Sequence, residues 1–210
     1  MNQLASSNQL NPYAIQLCAL ARWISAKQWA PAGTGHYSVR LNEHSALATP
    51  QYKDKAELSP HDLALLNWHQ SDTKLSPTLA PGTLLHTVIY QHFSNAKVVL
   101  HTQSVEATVF SKLIKADQYL FCGYDIQQRI RPQAQQDSGL NLAILDSNLC
   151  WAQLAQQLQN RRHELSSGFL LRGQGLYIWA DSLEQAKQQL EAWEFLFSCE
   201  LERFKVSGQL

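Results

Sequence analysis

The sequence predicts an α/β fold in which a largely antiparallel central sheet lies between helices. Segments whose apolar residues recur at helical spacing alternate along the chain with short segments that have strand character. Because these strands are short and their connections are mixed, a largely antiparallel sheet is favoured. The chain has 210 residues, 45% of them hydrophobic and 16% charged, so it can bury one sizeable core. We therefore expect a single domain over residues 1–210.

The first predicted elements are one helix and two strands. Apolar residues recur at three- and four-residue steps from Tyr13 to Trp29, and this run ends before Pro31. The stretch from Pro31 to His36 is rich in turn-forming residues. Tyr37 to Leu41 alternates as a strand does, and Ser45 to Thr49 is predicted to be a second short strand.

The middle of the chain predicts two helices around one strand. Ser59 to Asp62 has the pattern of a capped helical turn, with proline at its first helical position. Leu75 to Gly82 is a proline-containing loop. Leu84 to Phe93 and Ser104 to Ile114 have helical periodicity, and the β-branched segment from Lys97 to His101 between them predicts a strand.

The C-terminal part predicts four strands and two helices. Tyr119 to Gly123 and Leu140 to Leu145 are predicted strands, and Leu149 to Asn160 is a predicted helix. Gly168 to Trp179 is predicted to be a strand, a glycine turn and a second strand. Ser182 to Gln185 is a capping box, which opens a long helix. The apolar stripe of that helix consists of Ala186, Leu190, Trp193, Phe197, Leu201 and Phe204.

Composition argues against several classes of function. Seventeen basic residues balance seventeen acidic ones, which gives no electrostatic footprint for nucleic acid or an anionic membrane. The N-terminus lacks a signal-peptide pattern, and no apolar run reaches the roughly eighteen residues of a membrane span, so we expect a cytoplasmic protein. The four cysteines are far apart and are expected to be reduced and mostly buried.

Five stretches together resemble the methylthioribulose-1-phosphate dehydratases of the class II aldolase family. They keep the family's order and spacing across nearly the whole chain. The five stretches are Ala21–Gly35, Gly82–Thr87, Val99–Val109, Gly168–Trp179 and Glu194–Leu201. The resemblance implies a class II aldolase-like fold and a cyclic homotetramer with active sites at subunit interfaces.

The resemblance also implies a lyase activity. The family eliminates water from a five-carbon ketose phosphate in methionine salvage, with a divalent metal, normally zinc, on the substrate oxygens and a carboxylate that handles the proton. A Lewis acid beside a carbonyl acidifies the neighbouring C–H, which makes this division of labour chemically sound.

The expected zinc ligands are depleted in this chain. The resemblance implies ligands from a His-Thr-His strand end and an Arg-Gly-His-Gly turn, but here these positions read His101-Thr-Gln103 and Arg172-Gly-Gln174-Gly. An amide oxygen is a neutral, weak ligand, so losing two of three imidazoles is expected to cost on the order of a thousandfold in zinc affinity.

The residues expected around the substrate also differ. The family's Gly-Asn-Phe-Ser substrate loop is Gly35-His36-Tyr37-Ser38 here, with His36 in place of the amide, and its Ser-Gly pair near the phosphate is Gln51-Tyr52, where a bulky ring would obstruct the backbone amides. The expected catalytic glutamate is Asp125, whose reach is shorter by about 1.5 Å.

A further departure lies just before the second stretch. The family's Ser-Ala-Glu is replaced by Ala80-Pro-Gly82. The changes thus concentrate where the chemistry is expected.

Three hypotheses follow. In the first, the protein is a sugar-phosphate dehydratase with reduced or absent zinc; if it is active, His101 holds the metal with help from Gln103 and Gln174, and Asp125 moves the proton. The second is a non-catalytic paralogue, or pseudoenzyme, that keeps the tetramer for a binding or regulatory role. The third is a lyase repurposed for another sugar or carbonyl compound, with a metal site rebuilt from His36, His101 and Asp125.

Two interpretations without a catalytic role remain open for the histidines. A lone histidine at a strand end, such as His101, is more often a hydrogen-bonded structural residue than a ligand. His86 lies on a predicted helix, and we expect it to be structural or to form an interface.

Overall fold

An eight-stranded mixed sheet is the centre of the molecule. The computed structural model describes residues 11–68, 75–131, 139–165 and 168–208. The strands in this part of the chain are β1 (His36–Arg40), β2 (Ser45–Ala48), β3 (Ala64–Asn67), β4 (Val98–Thr102), β5 (Gln118–Phe121), β6 (Leu140–Leu145), β7 (Gly168–Leu171) and β8 (Gly175–Ala180). Their order in the sheet is β3-β2-β1-β4-β8-β7-β6-β5. The β6–β7 pair is parallel and the other neighbouring pairs are antiparallel, which confirms the largely antiparallel sheet.

Five α-helices cover the two faces of this sheet. Within the described ranges they are α1 (Pro12–Ala26), α2 (Thr83–His92), α3 (Val105–Leu113), α4 (Trp151–Asn160) and α5 (Leu183–Ser207). The N-termini of α1, α3 and α5 are capped by polar side chains: Asn11 accepts from the Tyr13 N–H, Ser104 from Ala107 and Ser182 from Gln185.

The alternation of side chains along the strands divides the core in two. Leu100 of β4 and Ile178 of β8 face a cluster that includes residues of α1, α3 and α5. Val99 and Trp179, on the opposite face of the same strands, belong to a cluster with residues of α2 and α4. The sheet is therefore flanked by helices on both sides, as the sequence predicts, within one mixed α/β domain.

The predicted elements are present, with two differences. The first helix ends at Ala26, three residues earlier than predicted, because the chain turns at Gln28, whose φ is +61°. The strand β3 was not predicted. Its short Ala-Leu-Leu-Asn segment has a half-exposed Leu65 and becomes a strand through pairing with β2.

The cysteine prediction is partly wrong. All four cysteines are free thiols, but only Cys18 is buried, whereas Cys122 and Cys150 are exposed and Cys199 is half-buried. Among the described helices, none combines the length and apolar character needed to cross a membrane.

Candidate functional site

Three strands bring His36, His101 and Tyr177 together. His36 and His101 are register partners on β1 and β4, and His101 and Tyr177 are register partners on β4 and β8. The His101 ring lies 4.4 Å from the His36 ring and 4.3 Å from the Tyr177 ring, measured between centroids. Directly opposed residues on antiparallel strands have neighbouring side chains, so this contact follows from the register.

A chain of hydrogen bonds runs from His36 into the core between β1 and α2. Nδ1 of His36 lies 3.1 Å from Nε2 of His86, and Nδ1 of His86 lies 2.7 Å from Oγ of Ser38. Oγ of Ser38 lies 2.8 Å from the Tyr90 hydroxyl. A neutral imidazole has one donor and one acceptor nitrogen. Each donor in this chain therefore meets an acceptor if all three hydrogen bonds run in the same direction.

Simple periodicity groups these four side chains into two pairs. His36 and Ser38 are two residues apart on β1 and face the same side of the sheet. His86 and Tyr90 are four residues apart on α2 and share one face of that helix. The expectation that His86 is structural is confirmed, because its side chain is fully buried and bonded to both His36 and Ser38.

His101 is held by a different bond. Its Nε2 lies 2.7 Å from the backbone carbonyl oxygen of Gln174. A carbonyl only accepts, so Nε2 carries the proton and donates it, which fixes the neutral tautomer. Nδ1 of His101 is buried and has no hydrogen-bond partner.

The three histidines are neutral at physiological pH. Burial lowers the pKa of His86 to about 3 and that of His101 to about 4. Burial also lowers the pKa of His36 well below its usual value, and the neighbouring His101 lowers it further. The charged form is disfavoured because these rings lie in the core beside one another.

Two glycines make room for this cluster. A Cβ at Gly82, just before α2, would lie 2.6 Å from Nε2 of His36 and 2.9 Å from the Tyr177 hydroxyl. A Cβ at Gly35 would lie 2.7 Å from the backbone oxygen of His101, and the φ of Gly35 is +83°. Gly35 therefore allows the loop before β1 to approach β4 closely, and Gly82 leaves space for the His36 ring.

The residues at the expected zinc positions form a weak donor set for a zinc ion, because two of the three, Gln103 and Gln174, offer amides in place of imidazoles. Nε2 of His101 donates to the backbone carbonyl of Gln174, so the unprotonated nitrogen of His101 is the buried Nδ1. The backbone N–H of Gln103 donates to the carbonyl of Trp29 at 2.9 Å. Across the described parts of the chain, no three His, Cys, Asp or Glu side chains are arranged to hold a metal ion.

Asp125 lies apart from the histidines. It opens a short 3-10 helix after β5, is exposed, and lines a pocket of about 670 Å³. The residues around this pocket are Tyr124, Asp125, Ile126, Gln128, Arg129 and Phe195. The structure thus brings His36 and His101 together but does not bring Asp125 to them.

Gln51 and Tyr52 line a second pocket, of about 530 Å³. The Tyr52 residue is 88% exposed, so its ring projects into solvent instead of covering the loop. Below the loop, the fully buried Lys55 donates from Nζ to the carbonyls of Pro50 and Lys53, at 2.8 and 2.9 Å. Lys55 therefore fixes the backbone that carries the predicted substrate-binding pair.

The sequence analysis did not identify Tyr90, Tyr177 and Lys55, and it named Ser38 only as the last residue of the substrate loop. The shared face of positions 36 and 38, and that of positions 86 and 90, were signals in the sequence. Nothing in the sequence alone pairs β1 with α2, however, so these signals become a network only once the fold is known.

Comparison with known proteins gives a consistent family. Residues 15–201 match the model described as Class II Aldolase and Adducin N-terminal domain. A methylthioribulose-1-phosphate dehydratase of Yersinia enterocolitica is 36% identical over 189 residues, covering 89% of this chain and 90% of that protein. One from Pectobacterium carotovorum is 35% identical over 195 residues, covering 92% and 95%.

Solved structures share the fold at lower identity. The L-fuculose-1-phosphate aldolase from Thermus thermophilus superposes with a TM-score of 0.75 at 18% identity, covering 93% of this chain and 96% of that one. A sugar-phosphate aldolase from Thermotoga maritima gives 0.71 at 14% identity, covering 92% and 96%. The class II aldolase-like fold predicted from the sequence is confirmed.

Proposed function

The chain belongs to the class II aldolase and adducin family, and on that premise we propose that it is a methylthioribulose-1-phosphate dehydratase-type protein whose own zinc-dependent dehydration is strongly reduced or absent. The relatives that carry this dehydratase name cover about nine-tenths of the chain. The protein is thus a lyase by descent. The substrate class it inherits is a sugar phosphate.

The observation that carries the proposal is the donor set at the expected ligand positions. Positions 103 and 174 hold amides, so His101 supplies the single imidazole of the three, and its Nε2 is bonded to the Gln174 carbonyl. A glutamine side chain offers zinc a neutral oxygen in place of a basic nitrogen. The three-imidazole donor set of a catalytic zinc site is therefore missing from this corner of the fold.

The proton-transfer group is also not assembled within one chain. A general base must come within hydrogen-bond reach of the proton it removes. Asp125 lines a pocket to which neither His36 nor His101 contributes. Residual elimination would use Asp125 as the carboxylate, and would require a second subunit or a movement of its loop to complete the site.

Assembly is part of the proposal. Val105 and Val109 are exposed one turn apart on α3, and Phe195 is half-exposed on α5. Exposed apolar side chains of this kind suit a subunit interface. We therefore propose that the protein forms a homotetramer. Such an assembly would retain a non-catalytic role if the dehydration is absent. We also propose a cytoplasmic location.

Metal content and activity together test the proposal. The protein is purified without added metal, and zinc, manganese, iron and nickel per chain are measured by mass spectrometry. Dehydration of methylthioribulose 1-phosphate is then assayed beside the Yersinia enterocolitica relative. We expect fewer than ~0.1 zinc per chain and a rate at least ~1,000-fold below that of the relative. Near-stoichiometric zinc with a comparable rate would overturn the proposal.

A further inference from the structure

The expected zinc positions His101, Gln103 and Gln174 are called the zinc corner below. We propose that His36, for which Gly82 leaves space and which His86 holds in place, occupies the space beside His101 that a zinc ion would need. Replacing Gln103 and Gln174 by histidine is then not sufficient to give zinc binding. This goes beyond the depleted ligand set proposed above, on which it rests. It makes His36 a positioning residue that determines the metal specificity of the corner.

The first support is direct contact between His36 and His101. The centroids of the two rings are 4.4 Å apart and their planes are inclined by 34°. Both residues are 6% exposed. A zinc ion bound to His101 needs space and further ligands around that ring, and the His36 imidazole takes up one side of it.

The second support is the rigidity of His36. Nδ1 of His36 is bonded to His86, and the chain continues through Ser38 to Tyr90. All four side chains are buried. Swinging the His36 ring away would leave Nε2 of His86 without its partner in the core, and an unsatisfied buried polar group is costly.

The third support is the space at Gly82. A Cβ at this position would lie 2.6 Å from Nε2 and 3.1 Å from Cε1 of His36, which is closer than side chains tolerate. Any side chain at position 82 would collide with this placement of the His36 ring, so the ring position depends on the glycine.

The fourth support is the hydrogen bond of His101. Before its Nε2 could bind a metal, the proton would have to move to Nδ1, which is buried without a hydrogen-bond partner, and the 2.7 Å bond to the Gln174 carbonyl would be lost. The contact with His36 on one flank and the stacked Tyr177 ring on the other hold His101 in the orientation of that bond.

The test compares three variants by zinc content. The first carries Gln103→His and Gln174→His. The second adds His36→Asn, and the third adds His163→Asn instead, as a control on an exposed histidine. Each is freed of metal, exposed to excess zinc chloride and desalted. We expect about one zinc per chain in the His36→Asn triple variant and fewer than ~0.1 in the other two.

Two outcomes would overturn the inference. One is a double variant that takes up zinc as fully as the His36→Asn triple variant. The other is a triple variant that has the far-ultraviolet circular dichroism of the unmodified protein and still binds no zinc. Failure of the proposed function looks different, because it would appear as zinc in the unmodified protein.

A measurement on the unmodified protein covers the case in which the variants do not fold. Long-range nitrogen–proton correlation by NMR reports which ring nitrogen of each histidine carries the proton. We expect His101 as the neutral Nε2–H form, and a bond between His36 and His86 in which one nitrogen is protonated and the other is not. A protonated Nδ1 on His101 would contradict the inference.

Discussion

Two buried polar networks of this molecule differ in whether their titratable groups are neutral or charged. The histidine network of His36, His86 and His101 has no counter-charge, and burial keeps its members neutral. The second network centres on Glu200 of α5, whose carboxylate accepts from the hydroxyls of Tyr119 and Tyr124 at 2.6 and 2.7 Å.

Glu200 also forms an ion pair with Arg203, whose side chain reaches solvent. Burial by itself raises the pKa of Glu200, but the hydrogen bonds from Tyr119, Arg203 and Tyr124 outweigh it and lower the pKa. The comparison shows that burial removes charge from a network unless donors and a counter-ion compensate for lost water.

The largest effect on stability is expected from removing the buried carboxylate of Glu200. Glu200→Ala leaves the hydroxyls of Tyr119 and Tyr124 without their acceptor and removes the ion-pair partner of Arg203. We expect the free energy of unfolding in urea to fall by about 3 kcal/mol. Glu202→Ala, an exposed carboxylate on the same helix, is the matched control. Equal effects of the two variants would mean that the Glu200 network does not stabilise the fold.

A somewhat smaller effect is expected in the neutral network. His86→Ala leaves Nδ1 of His36 without a partner, removes one of the two hydrogen bonds of the Ser38 hydroxyl, and creates a cavity between β1 and α2. We expect a loss of about 2–3 kcal/mol in the free energy of unfolding. His92→Ala, on the last turn of α2, controls for removing an imidazole from that helix. The hydrogen-bonded chain of His36, His86, Ser38 and Tyr90 is called the relay below. A loss of stability in His86→Ala smaller than that in His92→Ala would show that the relay contributes no stability.

A pH titration separates a neutral network from a buried acid. The unfolded pKa of a histidine is about 6.5, and burial lowers that of folded His86 to about 3, so its contribution is lost as pH falls below about 6.5. Burial raises the pKa of Glu194 on α5 to about 8, so the folded state holds a proton that the unfolded state loses above about 4.5.

Glu194 therefore contributes a loss of stability on the alkaline side. Burial lowers the pKa of Lys55 to about 8, which contributes a rise over the same pH range, so the part due to Glu194 is the difference between two proteins. Between pH 7 and pH 9 we expect the free energy of unfolding of the unmodified protein to fall by about 1 kcal/mol relative to that of Glu194→Gln, whereas Glu202→Gln should follow the unmodified protein. An identical pH dependence of Glu194→Gln and the unmodified protein would assign no alkaline loss to Glu194.

The smallest effect is expected from deleting one hydroxyl at the end of the relay. Tyr90→Phe keeps the ring in its place beside Trp68 and removes the bond to Ser38. We expect a loss of about 1 kcal/mol or less. Tyr13→Phe, at a half-exposed ring, is the control for losing a tyrosine hydroxyl. A loss comparable to that of His86→Ala would mean that the hydroxyl, and not the imidazole, organises the relay.

The sequence predicted much of the fold because its patterns are local. Capping residues such as Ser104 and Ser182 mark helix starts through bonds to the next turn, and apolar periodicity gives the buried faces. The strand β3 escaped prediction because its four residues gain their structure from β2, across a loop. Prediction of the cysteines failed for Cys122 and Cys150 because burial depends on neighbours that are distant in sequence.

The candidate site divides along the same line. The sequence by itself determined the family and the residue types at the expected site positions, which are glutamine at 103 and 174 and histidine at 36. These follow from residue identity, which needs no coordinates.

Only the tertiary structure decided what those residues do. The β1–β4 register put His36 against His101, α2 supplied His86, and the turn before β8 presented the Gln174 carbonyl. The protonation state of a histidine depends on its burial and on the partner of each nitrogen, and both are set by contacts between segments far apart in the chain.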